Sequence, residues 1–426
     1  PGEVGSVRGT APGKPQLIPH GEEVWADASE WMSSRGFCSW AGIQCHHREG
    51  TDVEDTIYDG NNGVTHLNLT SNGVRGTIPS EIAALSDLRV IDLIENHLTG
   101  TLPPALGALT HAISLSLSDN DLTGTVPTEL GRLTSMTHLY LDRNILEGEM
   151  PEELGEATSM HVLGLYENYL TGKFPPLQKM KNLRSLYLDD NQFSGHIPGD
   201  VLGALTNIED MRLGTNNFTG PIPSQIGNLE KLSVAYLEYN ALSGAIPWEI
   251  YKLKGLGELH LHENYLTRTI PYQFGELRDL EVLYLDHNKL TGTIPAPLGD
   301  MDDMMELYLQ GNQLTGTIPP LLTRLEDLVD LRLDFNSLSG TIPDNIQRLF
   351  KLEWLHLNDN NFTGAPPRGL ANLQRLRGLR LNGNGLVGTI PDGVCQLKGS
   401  GDLKLLQADC AGEKPAVVCD CCTECF

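Results

Sequence analysis

Leu283-Tyr284-Leu285-Asp286-His287-Asn288-Lys289-Leu290-Thr291-Gly292-Thr293-Ile294-Pro295 holds the pattern that decides the fold. Leu283 and Leu285 alternate with polar neighbours, as in a short strand with one buried face. An Asn follows three residues later, then an apolar residue, then Thr-Gly-x-Ile-Pro, and a Leu-Gly-x-Leu stretch brings the chain around. Working outward in rows of 24, the Asn recurs at Asn72, Asn96, Asn120, Asn144, Asn168, Asn191, Asn216, Asn240, Asn264, Asn288, Asn312, Asn336, Asn360 and Asn384. Only the steps into and out of Asn191 differ, by one residue each. Leu or another apolar residue stands five and three before nearly every Asn, Ala235 being the weakest. One such turn cannot bury its leucines alone, whereas stacked turns share a continuous core and pair their strands into a parallel sheet. The spacing therefore predicts an α/β-type solenoid: a right-handed superhelix with a parallel concave sheet, a second short sheet and short 3-10 or helical convex segments. The Asn column is expected to satisfy neighbouring backbone groups through its amides, as a ladder.

The flanks are of other kinds. Residues 1–20 are expected to be extended or disordered, 21–63 to form a cap with a short helix containing Trp25 and Trp31, 64–394 to hold about fourteen repeats, and 395–426 to form a cysteine-rich end. The segment from His46 to Asn62 carries Asp52, Glu54, Asp55 and Asp59 and reads as a surface loop. From the start at Pro1 rather than Met, a processed or trimmed chain is expected.

Among 426 residues there are 55 Asp and Glu against 30 Lys and Arg, a formal net charge of −25. A phosphate backbone would be repelled, so nucleic acid is excluded and a basic or neutral partner favoured. No run of about 20 apolar residues is present, so no membrane insertion by this chain is expected. The eight cysteines sit only at the ends: Cys38 and Cys45, then Cys395, Cys410, Cys419, Cys421, Cys422 and Cys425. Such a distribution reads as disulfide-locked caps in an oxidising compartment. Glycosylation sequons at Asn68, Asn217 and Asn361 agree with export to the cell surface or beyond.

Leu-x-Gly-x-Ile-Pro inside a 24-residue unit resembles the plant-type leucine-rich repeat of polygalacturonase-inhibiting proteins and receptor-kinase ectodomains, over about residues 21 to 395. Cys38-Ser-Trp40-Ala-Gly42-Ile-Gln-Cys45 is similar to that family's N-terminal cap. The tail Cys419-Asp-Cys421-Cys422-Thr-Glu-Cys425-Phe426 departs from the plant pattern and resembles the ends of secreted microalgal leucine-rich-repeat proteins. The resemblance implies extracellular recognition, with binding of an external hydrolase as one version.

Positions six, four, two and one before each Asn are expected to face the concave side. Tyr at four before and an acid at two before recur at Tyr140 and Asp142, Tyr187 and Asp189, Tyr236 and Glu238, and Tyr284 and Asp286. Aromatic platforms flanked by carboxylates suit sugar rings or a basic peptide. Toward the C-terminal half, Tyr308, Arg332, Phe335 and Trp354 join Tyr284 as the expected contact patch, because aromatic residues and Arg dominate hot spots. His260, His262 and His287, with Glu238 and Asp286, form a grouping that could hold a divalent metal, but solvated surface histidines are commoner and no metal or cofactor is assigned.

The leading expectation is a binding module for a protein, peptide or cell-wall glycan. An open face offers no enclosed pocket to split the pKa values of two acids, so no catalytic residue is assigned and the chain is not expected to be an enzyme. One alternative is ice binding through Thr99 and Thr101, Thr123 and Thr125, Thr267 and Thr269, Thr291 and Thr293, and Thr315 and Thr317, interrupted at Glu149, Lys173, His196 and Pro221. Another is a receptor ectodomain or structural cell-surface protein. Oligomeric state and ligand identity are not legible.

Overall fold

A computed structural model describes residues 43–45, 64–400, 403–412 and 415–426. The expected N-terminal segment, the cap helix with Trp25 and Trp31, Cys38, the side chain of Cys45 and the acidic insert lie outside the described residues.

Each turn adds one short strand to a 17-stranded sheet. Ile43–Cys45 runs antiparallel to Val64–Asn68, and the strands that follow join in parallel. Leu259 lies opposite Leu283, Leu283 opposite Leu307, and Leu307 opposite Leu331, all with 0% exposure. Parallel neighbours 24 residues apart are what a closed turn of that length produces. The two irregular steps stay in register: Val162 pairs with Ser185, and Ser185 with Asp210. The shorter turn closes without a helix after Lys173, and the longer one uses Gly199–Leu202, an α-helix where the neighbouring turns carry 3-10 helices. Ala235 fills the leucine position of its turn, fully buried between Met211 and Leu259.

The Asn column forms the expected ladder. Asn288 Oδ1 accepts the Leu266 N–H at 2.9 Å, and its Nδ2 donates to Leu261 O at 2.9 Å and Leu285 O at 3.1 Å. One side chain thus ties its own turn to the preceding one, satisfying backbone groups that the bend leaves without strand partners. The pattern repeats at Asn96, Asn216 and Asn360.

After the Asn, residues such as Lys289–Thr293 build the second sheet, with Thr293 opposite Thr315. Gly292 there has φ +81°, and a Cβ would come 2.7 Å from the Thr269 methyl; Gly316 stands in the same relation to Thr293 at 2.8 Å. The threonine before Ile-Pro packs its methyl into space vacated by the next turn's glycine, which accounts for its recurrence. Ile294 enters the core, and Pro295 precedes the convex 3-10 helix Ala296–Asp300, whose Leu298 is fully buried.

At the C-terminal end, helix Asp392–Ser400 and strand Leu405–Ala408 continue the stack, and Glu424–Cys425 forms the last strand. Three disulfides, Cys395–Cys421, Cys410–Cys425 and Cys419–Cys422, close this end. Lys398 Nζ donates to Cys421 O at 2.7 Å. Asp409 accepts the N–H groups of Gly383, at 2.8 Å, and Asn384, at 3.2 Å.

Candidate functional site

In the strand Val282–Tyr284, Leu283 points into the core, and its flanking residues stand on the open face at the positions six and four before Asn288. Parallel in-register pairing lines up side chains of the same position at the strand spacing, about 4.8 Å. That distance is close to the separation of neighbouring rings in a stack, and the four-before column exploits it. Tyr236 stacks on His260 at 4.1 Å between ring centroids, His260 on Tyr284 at 4.5 Å, and Tyr284 on Tyr308 at 4.2 Å. Cations extend the pile at both ends: Arg332 lies over Tyr308 at 4.3 Å, and Arg212 lies 4.9 Å from Tyr236 and 5.2 Å from Tyr187. Seven consecutive turns, from Tyr187 to Arg332, thus form one stack. Each such contact contributes on the order of 1 kcal/mol.

The stack alters the expected use of the tyrosines. The faces of Tyr236, Tyr284 and Tyr308 are covered on both sides by neighbours in the pile, so they are not platforms for a sugar ring; the face presents ring edges and hydroxyls. Nor do the hydroxyls join the same-turn acids paired with them in the sequence. Tyr187 donates to Asp210 at 3.1 Å, Tyr308 to Asp330 at 2.8 Å, Tyr236 to Glu258 and Tyr284 to Glu306. These acids occupy the position six before the Asn of the following turn. Arg212 and Arg332 bind the same Asp210 and Asp330 through two nitrogens each. Burial and the neighbouring carboxylate both hold the phenols of Tyr236, Tyr284 and Tyr308 far above their ordinary value.

The two-before column is buried or half-buried rather than displayed. Asp142, Asp286 and Asp334 are 4%, 7% and 6% exposed, because the chain is already bending toward the Asn and the flanking columns close over them. An oxygen of each of Asp142, Asp189, Glu238, Asp286, Gln310 and Asp334 meets no donor among the described residues. Loss of hydration pushes Asp189 and Glu238 up to about 7 and Asp334 to about 6. The same cause lowers His260 and His356 to about 4. The stripe therefore carries less charge near neutral pH than its composition implies.

Other expected residues are arranged differently. Tyr140 and Asp142 both overlie Gly164 of the next turn, where a Cβ would come 3.1 and 3.0 Å from them. The Trp354 ring covers Gly378. Phe335, at φ 52° in the bend before Asn336, stands apart from the stack and is 57% exposed. The histidines do not converge on a metal site: His287 Nδ1 lies 2.9 Å from Asp286 Oδ2, and the His260 and His262 rings are tilted 5.9 Å apart. The one metal-like grouping among the described residues, Cys410, Cys419 and Cys422, is consumed in disulfides. No helix among the described residues is long and apolar enough to cross a membrane.

The acids at six before the Asn, Asp210, Glu258, Glu306 and Asp330, were not singled out from the sequence. Their signal is a Tyr followed by an acid 22 or 23 residues later, as the separations of their hydrogen-bonded pairs record.

Comparison with known proteins agrees with this geometry. A leucine-rich-repeat model matches residues 251–320, and a second matches six further segments between 87 and 397. The plant peptide hormone receptor RGFR1, solved in complex with RGF2, superposes with a TM-score of 0.80 at 32% identity, over 87% of this chain and 61% of that one. The Arabidopsis receptor kinase HAESA, in complex with the peptide hormone IDA and the co-receptor SERK1, gives 0.72 at 29%, over 89% and 66%. The Arabidopsis thaliana pollen receptor-like kinase 2 is 37% identical over 67 residues, 16% of this chain and 10% of that protein. The chain thus spans about six-tenths of the length of the receptor chain RGFR1. A Leptospira interrogans leucine-rich-repeat protein is 31% identical with a TM-score of 0.64, over 78% of this chain and 81% of that one. With that coverage on both sides, and the ladder and stacked turns described above, the chain belongs to the leucine-rich-repeat family.

Proposed function

We propose that this chain is an extracellular recognition module whose concave face holds a peptide or protein segment rich in hydrogen-bond donors and basic groups. The observation that carries the reading is the line of carboxylates six before the Asn, Asp210, Glu258 and Glu306, each joined to a tyrosyl hydroxyl along the open face. Each keeps lone pairs for a ligand's N–H or cationic groups, and charge-assisted hydrogen bonds of this kind are roughly twice as strong as neutral ones. The tyrosyl hydroxyls and the carboxylates at six before the Asn form the rim along which such a segment lies. Tyr140, Tyr187, Tyr236, Tyr284 and Tyr308 contribute edges, and Phe335 and Trp354 supply apolar contact toward the C-terminal half. Similar structures solved with peptide hormones support the reading. The covered ring faces weigh against a stacked glycan here, and the packing of threonine methyls against the next turn's glycine gives their recurrence a structural cause, which weighs against ice binding. Asn217 and Asn361 are exposed on the second sheet, so glycans there would leave the concave face clear.

The test is a panel of synthetic 15-residue peptides, basic, neutral and acidic, titrated against the wild type and the Asp210→Asn, Glu258→Gln, Glu306→Gln triple variant. Basic members should bind the wild type and weaken about tenfold or more in the variant. If no peptide binds, or binding ignores the triple change, the reading falls.

A further inference from the structure

Outside the concave face, one turn breaks a rule that the others keep. The glycine of Thr-Gly-x-Ile-Pro stands at positive φ in thirteen turns, among them Gly244 at 79° and Gly292 at 81°. The turn between those two places Arg268 there instead, at φ 70°. An L-residue in that region is strained, and the regular motif would have avoided the strain with glycine. The preceding turn is altered to match. Where Thr269 and Thr293 press their methyls against the following glycine, the corresponding residue ahead of Arg268 is Ala245, which leaves room for a Cβ.

Arg268 opens onto a groove of about 660 Å³ across three turns, between the second sheet and the convex helices. Two aromatic side chains line it, Trp248 and Tyr272, each directly after an Ile-Pro; they are 51% and 65% exposed. Tyr272 is the most exposed large hydrophobic side chain among the described residues. Tyr251 braces the Trp248 indole at 5.5 Å between ring centroids. Thr269, Thr293 and Gln273 add polar groups to the lining, and no acid does, although acids outnumber bases almost two to one in the chain. Arg268 is exposed and forms no salt bridge among the described residues.

We propose that this groove is a second binding site, for an acidic saccharide. An apolar sugar face lies on Trp248 or Tyr272, sugar hydroxyls meet Thr269, Thr293 and Gln273, and the anionic substituent pairs with Arg268. Exposed rings beside a few polar groups suit a ligand with an apolar face and a hydroxyl rim. The planar guanidinium fits a carboxylate or sulfate with two parallel hydrogen bonds. An extended peptide is the poorer fit, because backbone groups of the second sheet beside the groove are already paired from turn to turn.

The test titrates the folded chain with a 1,4-linked hexuronate tetrasaccharide, its carboxyl-reduced neutral form, a sulfated tetrasaccharide and a proline-rich peptide, following tryptophan fluorescence and heat. Arg268→Gly restores the regular residue, and Ala245→Thr with Arg268→Gly restores the regular pair, so both variants should melt at or above the wild-type temperature. At least one anionic sugar should bind the wild type and weaken about tenfold or more in both variants and in Trp248→Ala with Tyr272→Ala. The reduced sugar should bind the wild type no better than the anionic sugar binds Arg268→Gly. Preference between the carboxylated and sulfated sugars identifies the substituent. Failure of both to bind, equal binding of the neutral form, indifference to Arg268→Gly, or capture of the proline-rich peptide in their place would overturn the proposal.

Discussion

The hydroxyl of Tyr308 donates a 2.8 Å hydrogen bond to Asp330, so a residue of one turn is fixed by a carboxylate of the next. Asp330 is 5% exposed and also receives two nitrogens of Arg332, whose guanidinium covers the Tyr308 ring. Removing either partner therefore has unequal consequences. Tyr308→Phe keeps the ring in the stack and should cost about 1 kcal/mol by urea denaturation. Asp330→Asn strips the countercharge from a half-buried Arg332 and should cost about 2–3 kcal/mol. A double variant that costs the full sum would show Tyr308 and Asp330 to be independent and sink the idea that they are coupled.

The ladder predicts a steeper loss at a residue that no ligand touches. Asn288→Ala deletes the acceptor for the Leu266 N–H and the donor to Leu261 O and Leu285 O, all in the core. A destabilisation of about 3 kcal/mol or more is expected. Amide exchange should quicken at Leu266 and in the two adjoining turns before it does so in distant ones. Uniform quickening along the solenoid would argue against this local role.

A third expectation concerns pH. Asp189 has its folded value pushed from 3.8 up to about 7 by burial. The folded state then holds a proton that the unfolded chain releases, so this group penalises folding fully above about pH 7. The penalty shrinks as pH falls from 7 toward 4 and vanishes below the unfolded value. Asp189→Asn, which cannot ionise, should therefore melt several degrees above the wild type at pH 8, with the gap closing by pH 4. A gap that stays constant with pH would contradict the assignment.

The periodicity of the Asn and Leu columns made the turns, the parallel sheet and the ladder legible, because each depends on one residue type at one spacing. The concave face was legible by column but not by contact. Tyr236 and Glu238 are neighbours in sequence, yet the tyrosyl hydroxyl reaches forward to Glu258, since in-register stacking brings position four of one turn beside position six of the next. Burial at two before was missed for a related reason. Strict strand alternation exposes Asp286, but the strand ends at Tyr284, and the bend that follows turns the carboxyl under its neighbours. Arg268 was not read from the sequence, although it interrupts the glycine column there, because its meaning depends on the groove that three separate turns assemble.

The ladder also gives the molecule a direction in time. The Asn288 acceptor that completes the Leu266 amide belongs to the turn after it, so each turn leaves the ribosome with this amide, like those of Leu261 and Glu263, waiting for the next. A nascent chain grows like a zipper whose last tooth is always open, and synthesis from the N-terminus supplies the missing teeth in order. Asp409 ends the stack by another route: its carboxylate accepts the amides of Gly383 and Asn384, whose counterparts Asp359 and Asn360 bond to backbone carbonyls of the following turn.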